Sequence, residues 1–239
     1  MANSNPGALS PERLAQIEEV ERRIGYVFKD RTLAQSALRH ASSASSRVAS
    51  NERLEFLGDA ILGMVVCERL YHEFPDLLEG ELTRIKSVVV SRETCAKIST
   101  ELELAQFLQL GKGMIAQPNL PRSLLADVLE SLVAAIFLDD GLEPAERFIE
   151  RFVFPFITTA ADTAEDENYK SRLQHLAQRD FSQTPTYVLV DQKGPDHSKS
   201  FRVAARIGDM EFEAAWGKSK KQAEQIAAKH ALSQLEPGR

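Results

Sequence analysis

The period of the hydrophobic pattern changes once along this chain, and that change limits the folds open to it. From Ser10 to about residue 158, apolar residues recur at helical spacing and no segment shows sustained strand alternation. After residue 168, a short helix gives way to three strand-like runs and then to a final helix. Such a pattern builds a helical unit followed by a small α+β unit.

Local signals place the elements. Ser10-Pro11-Glu12 joins a capping hydroxyl to a proline at the first helical position. Asp30 can cap a second helix carrying Leu33, Ala34, Ala37 and Leu38. A third helix is predicted from about Asn51 to Tyr71, stopping before Phe74-Pro75. A fourth helical region runs from about Glu79 to Leu110 and ends at Gly111-Lys112-Gly113. A helix from about Ser123 to Leu138 is closed by Asp139-Asp140-Gly141, and another starts near Glu143-Pro144. Residues 159–167 hold no large apolar side chain and a cluster of acids, so they read as a flexible linker between a domain over 10–158 and one over 168–236. In the second domain, strands are expected over 185–190, 200–207 and 210–216, with Gly208-Asp209 as a tight hairpin. Trp216 reads as core or sheet-edge packing, and the last helix spans about Lys218 to Leu235.

Charge divides the chain at the same place. Residues 1–160 carry 17 Lys and Arg against 23 Asp and Glu, whereas residues 168–235 carry 11 against 7. The net charge of −6 therefore hides a basic C-terminal unit, and does not exclude a nucleic-acid partner. The two cysteines, Cys67 and Cys95, are too few for a disulfide framework and read as buried thiols in a reducing compartment. The N-terminal residues lack the pattern of a signal peptide. The longest apolar stretch, Ala60 to Cys67, is too short to span a bilayer. A cytoplasmic protein with no membrane association is the expectation.

The chemistry concentrates in acids. In Asn51-Glu52-Arg53-Leu54-Glu55-Phe56-Leu57-Gly58-Asp59, the carboxylates Glu52, Glu55 and Asp59 fall at i, i+3 and i+7, on one helix face. Like charges so placed repel by a few tenths of a kcal/mol, roughly, per pair, and a hard divalent cation relieves that repulsion. The alternative is a solvated face with Arg53 or Arg69 as counter-charge. A second pair, Asp127 and Glu130, sits at i, i+3 on a helix otherwise almost wholly apolar from Leu124 to Leu138. Charges there are costly unless paired or bound to metal. Together the two segments supply four close carboxylates, enough for one or two Mg2+ ions.

These segments carry a resemblance. Asn51 through Asp59 is similar to the signature of the ribonuclease III family without a departure. The likeness extends through Phe74-Pro75, Glu79-Gly80, Leu110-Gly111-Lys112-Gly113 and Ser123-Leu124-Leu125-Ala126-Asp127 with Glu130. The resemblance implies an all-α endonuclease domain that hydrolyses double-stranded RNA with Mg2+, or with Mn2+ as substitute, leaving 5′-phosphate and 3′-hydroxyl ends. It implies Glu55, Asp59, Asp127 and Glu130 as metal ligands, with Asp59 and Glu130 closest to catalysis and Glu52 and Glu79 as supporting acids in the same valley. It also implies a homodimer with Phe56 at the interface, short 3′ overhangs, and processing of ribosomal precursors and structured transcripts. Met114 and Asn119-Leu120-Pro121 depart from the family pattern in the loop before the second acid pair.

The C-terminal α-β-β-β-α order resembles the double-stranded RNA-binding domain, a module that reads A-form shape through minor-groove and phosphate contacts. Lys218, Lys220 and Lys221 at a helix N-terminus suit phosphate. Gln174 and His197 can reach 2′-hydroxyls, and His175 stands where the family usually carries an acid. The rival reading is a catalytically inactive double-stranded RNA-binding or structural protein of the same fold. Against it stands the presence of all six acids.

Overall fold

The computed structural model describes residues 9–115, 120–166, 169–195 and 198–236. The chain separates into two compact units, residues 1–160 and 161–239. Each is described by itself.

The first unit is helical. It comprises α1 (Pro11–Ile24), α2 (Arg31–Ala37), α3 (Glu52–Glu73), α4 (Glu79–Val89), α5 (Arg92–Glu101), the short α6 (Lys112–Ile115), α7 (Arg122–Asp140), α8 (Leu142–Phe152) and α9 (Pro155–Asp166). The caps form where the sequence places them: the Ser10 hydroxyl accepts from the Arg13 amide, and Asp30 accepts from the Thr32 amide. Gly25 ends α1 in the left-handed conformation that glycine adopts at least cost. The organising element is α7. Val128, Leu129, Leu132, Val133, Ala134, Ala135 and Ile136 are fully buried, and α7 packs against α2, α3, α5 and α8. A helix apolar on every side is one that neighbours surround.

Two expectations are corrected here. The helical region over 79–110 is broken: α4 ends at Val89, Ser91 caps α5 through the Thr94 amide, and Glu103 takes a left-handed φ of 51° before a 3-10 turn over Leu104–Phe107. The segment read as a flexible linker, 159–167, is helical as far as Asp166. Its lack of large apolar residues removes a docking face. It does not stop a helix free of Gly and of internal Pro from propagating out of the buried turn at Ile157 and Ala160.

The second unit is α10 (Tyr169–Phe181), β1 (Thr186–Lys193), β2 (Ser200–Ile207), β3 (Met210–Glu211), β4 (Ala215–Gly217) and α11 (Lys220–Leu235). The sheet is antiparallel, with β2 pairing β1, β3 and β4. Gly208, at φ 57°, makes the β2–β3 hairpin. The strand expected over 210–216 is split, with Phe212 buried between its two halves. The break shifts the alternation, so Ala215 turns inward and Trp216 outward, 38% exposed under the Lys193 ammonium. Trp216 is therefore not core. Leu173, Leu176, Ile207, Phe212 and the alanines of α11 form the core between helices and sheet.

Candidate active site

Three acids converge from two helices. Oxygens of Glu55 on α3 and of Asp127 and Glu130 on α7 all lie within 4.8 Å of one another. What allows this is Gly58, one turn beyond Glu55: a Cβ there would overlap the backbone carbonyl of Glu130. The two helices thus cross with backbone against backbone. Ser131, fully buried, locks the crossing by donating to the Asp127 carbonyl at 2.7 Å and to the Asn51 carbonyl at 3.3 Å.

The convergence has an electrostatic signature. Glu130 is pushed up to about 7, first by burial and then by the charges of Asp59, Glu55 and Asp127, with Arg92 opposing. Burial likewise raises Glu55, reinforced by Asp127, Glu52 and Asp59. Burial raises Asp127, against Arg92 and His40. Among the described residues, none of Glu55, Asp59, Asp127 and Glu130 forms an ion pair with Lys or Arg. Arg92 offsets part of their mutual repulsion without pairing with any of them, and a bound cation would relieve the rest.

The other expected site residues lie around this group. Asp59 is exposed and stands outside the three-oxygen cluster, although its charge acts on both Glu130 and Glu55. Glu52 is clasped by Arg47 through 2.7 and 3.1 Å hydrogen bonds, which together with Ser50 hold its carboxyl below the usual range. Its counter-charge is thus Arg47, neither Arg53 nor Arg69; the latter pairs with Glu73. Glu79, expected in the same valley, is exposed on the first turn of α4, where it accepts from the Thr83 hydroxyl and lines a groove with Tyr71, Phe74 and Leu82. Within one chain it does not join the cluster. Phe56 is 81% exposed on α3. Cys95 is buried and pushed up to about 12 by burial and by the Glu130 and Asp59 charges, whereas Cys67 is exposed, contrary to expectation.

In the second unit, Gln174 and His175 are exposed on α10. Lys218, Lys220 and Lys221 are exposed at the start of α11, and none forms an ion pair among the described residues. Ser219 caps α11 by accepting from the Gln222 amide, and the Lys218 amide donates to the Gln222 side chain at 2.7 Å. Lys218 thus lies just before the cap, outside the helix. His197 falls outside the described residues, as does Asn119 of the departing loop; Met114 lies in α6.

Comparison with known proteins decides what this arrangement belongs to. Residues 30–157 match the family model described as Ribonuclease-III-like, and residues 169–235 match the double-stranded RNA binding motif. The chain belongs to the ribonuclease III family. Proteins named Ribonuclease 3 from Rhodopirellula baltica and Geobacter sulfurreducens are 46% and 42% identical to it. The first alignment covers 94% of this chain and 84% of the relative, and the second 94% and 93%. The nuclease domain of Campylobacter jejuni ribonuclease III, a structure whose description concerns a region involved in dimer formation, shares 37% identity at a TM-score of 0.56, covering 58% of this chain and 96% of that one. The chain is accordingly a double-strand-specific endoribonuclease, with its ribonuclease III unit first and its RNA-binding unit second.

Sequence reasoning missed several residues of the site. Gly58 stood in the signature without a role, yet a glycine inside a helix costs about 1 kcal/mol against alanine and so asks for a packing reason. Ser131, a lone hydroxyl in an apolar helix, carried the same kind of signal. Arg92 and His40 lie outside the two acid-bearing segments, and no local pattern points to them, whereas Arg47 stands only five residues before Glu52, near enough to be weighed beside Arg53 and Arg69 as its counter-charge.

Proposed function

We propose that the acid cluster is the cleavage site and that it works with Mg2+, Mn2+ serving as substitute. The observation that carries this is the meeting of three carboxylates that, among the described residues, form no ion pair with Lys or Arg. Hard oxygen donors at this spacing suit both ions. Glu55, Asp127 and Glu130 would hold the metal, with Asp59, one turn further along α3, completing the set. When bound, the metal lowers the pKa of a water molecule and stabilises the departing oxygen. The residues do the rest: Asp59 and Glu130 accept hydrogen bonds from the attacking water, and Gly58 and Ser131 hold the two acid-bearing helices at one separation. Water attacks phosphorus and the P–O3′ bond breaks, so one fragment keeps a 5′-phosphate and the other a 3′-hydroxyl. Glu52 and Glu79 act as supporting acids at the margin.

The test is incubation with a long, perfectly paired RNA in Mg2+, in Mn2+ and in EDTA, with the product ends identified. Short duplexes bearing 5′-phosphates and 3′ overhangs, formed only with metal, support the reading. Duplex binding without cleavage under any metal overturns it in favour of an inactive RNA-binding protein.

The working form is a homodimer, each subunit cutting one strand and the offset leaving short 3′ overhangs. Support comes from Phe56, Met64 and Tyr71, which expose 81%, 48% and 70% of their surface along α3. Phe56→Asp is expected to convert the dimer to monomer in sedimentation equilibrium and to lower cleavage with it. An unchanged mass would remove Phe56 from the interface.

RNA capture belongs to Gln174, His197 and the lysines at the start of α11. Double mutation of Lys220 and Lys221 to Ala is expected to weaken duplex binding and reduce the log–log salt slope by about 1 per lysine. An unchanged slope would place these lysines away from phosphate. Ribosomal precursors and structured transcripts are the proposed substrates and the cytoplasm the proposed site of action. Among the described residues, no helix is long and apolar enough to cross a membrane.

A further inference from the structure

We propose that His40 is a substrate contact whose Nε2–H donates a hydrogen bond to a phosphate oxygen of the RNA strand lying at the acid cluster. This rests on the cluster being the cleavage site.

The loop that bears His40 is tied to both acid-bearing helices. The Arg39 carbonyl accepts from the Asn51 amide at 2.9 Å, one residue before Glu52 opens α3. The Asn51 carbonyl in turn accepts from Ser131 on α7. On its other side the loop is clamped by the His40 amide donating to the Gln109 carbonyl at 3.1 Å, and by the Ser43 hydroxyl on the same carbonyl at 2.7 Å. His40 is thereby held on a loop bonded to the residue that precedes Glu52, within electrostatic reach of Glu52 and Asp127.

The imidazole's orientation and tautomer are fixed as well. The Gly111 amide donates to Ser42 Oγ at 2.9 Å, and Ser42 Oγ stands 2.8 Å from His40 Nδ1. The Ser42 amide donates to Nδ1 at 3.2 Å, so Nδ1 is the acceptor and the ring proton of the neutral form resides on Nε2. Among the described residues Nε2 has no hydrogen-bond partner. A structural role for this ring is fulfilled at Nδ1 and leaves the Nε2 donor unused, on a loop tied to the acid-bearing helices.

That donor answers an electrostatic need. A surface of carboxylates repels an RNA strand, and a metal offsets this only at the phosphate it touches. A donor locked in place before substrate arrives holds an adjacent phosphate oxygen with little ordering cost.

The test compares His40→Ala and His40→Gln with the full-length enzyme on a perfect RNA duplex in Mg2+. Gln keeps an N–H donor near the position of Nε2. His40→Ala is expected to lose about 10- to 100-fold in kcat/KM, the range for a hydrogen bond to a charged group. The loss should appear in KM as well as kcat, with the melting temperature little changed, and His40→Gln should recover most of the activity. Wild-type kcat/KM in His40→Ala overturns the proposal. So does equal loss in both variants accompanied by a matching fall in melting temperature, which assigns His40 to the loop alone. Glu130→Gln is run alongside: if it still cleaves, the cluster reading fails and His40 with it. If it is inactive while His40→Ala cleaves normally, the assignment of His40 alone falls.

Discussion

Glu130→Gln is expected to lose cleavage by about a thousandfold or more and, in metal-free buffer at pH 8, to melt several degrees above the unaltered protein. Both effects come from one cause. A carboxylate that helps hold a catalytic metal is worth several kcal/mol to the transition state, and about 1.4 kcal/mol is tenfold in rate. The same carboxylate is a liability when the metal is away. Its pKa is raised to about 7 by burial and by the neighbouring acids, against an ordinary value of 4.5. The folded state thus binds this proton more tightly than the unfolded chain does. Between about pH 4.5 and 7, stability falls as pH rises, and above about 7 the whole penalty is present. For a half-buried group, after discounting for solvent screening, that penalty is on the order of 2 kcal/mol, about 4–8 °C in a protein of this size. Gln keeps the shape and drops the charge. Scanning fluorimetry in EDTA should therefore separate the two proteins at pH 8 and bring them together at pH 4.5. Mg2+ should raise the melting temperature of the unaltered protein far more than that of the variant. Equal melting at pH 8 would mean that the repulsion is not carried by Glu130.

The acids were legible in sequence because each sits in a local pattern: i, i+3, i+7 on one helix, and i, i+3 on a helix with no other reason to carry charge. Helix identity was legible for the same reason, since burial of α7 on all sides leaves an apolar run. What was not legible is which acids meet. Helical spacing places Glu52, Glu55 and Asp59 on one face, but the crossing of α3 and α7 selects Glu55 for the cluster. Arg47 claims Glu52, and Asp59 is left exposed. The meeting of Glu55 with Asp127 and Glu130 joins segments far apart in sequence, which no local window contains, whereas the Arg47–Glu52 pair spans only five positions. The helix through 159–166 was missed for the opposite reason. The segment lacks a burial pattern, yet with neither Gly nor Pro after Pro155 to break it, the helix continues once its first turn is anchored at Ile157 and Ala160.

Gly58→Ala is expected to destabilise the nuclease unit by about 2 kcal/mol and to cut metal affinity and cleavage together, while Gly63→Ala, five residues along the same helix, should do neither. Helix propensity alone predicts a gain of about 1 kcal/mol at both positions. At Gly63 the added methyl would sit 3.6 Å from the Lys86 side chain, an ordinary contact with a flexible chain. At Gly58 it would overlap the carbonyl of Glu130, and backbone inside two packed helices has nowhere to move. Overpacking of this kind costs about 1–3 kcal/mol or more, and relief requires α3 to draw away from α7. That movement carries Glu55 from Asp127 and Glu130, so an alanine that touches no substrate would still reduce turnover. The two variants share one helix and one substitution, so a common effect of alanine on α3 would shift both equally. If Gly58→Ala melts and cleaves like Gly63→Ala, the helices have room between them, and the spacing of the acids is set elsewhere.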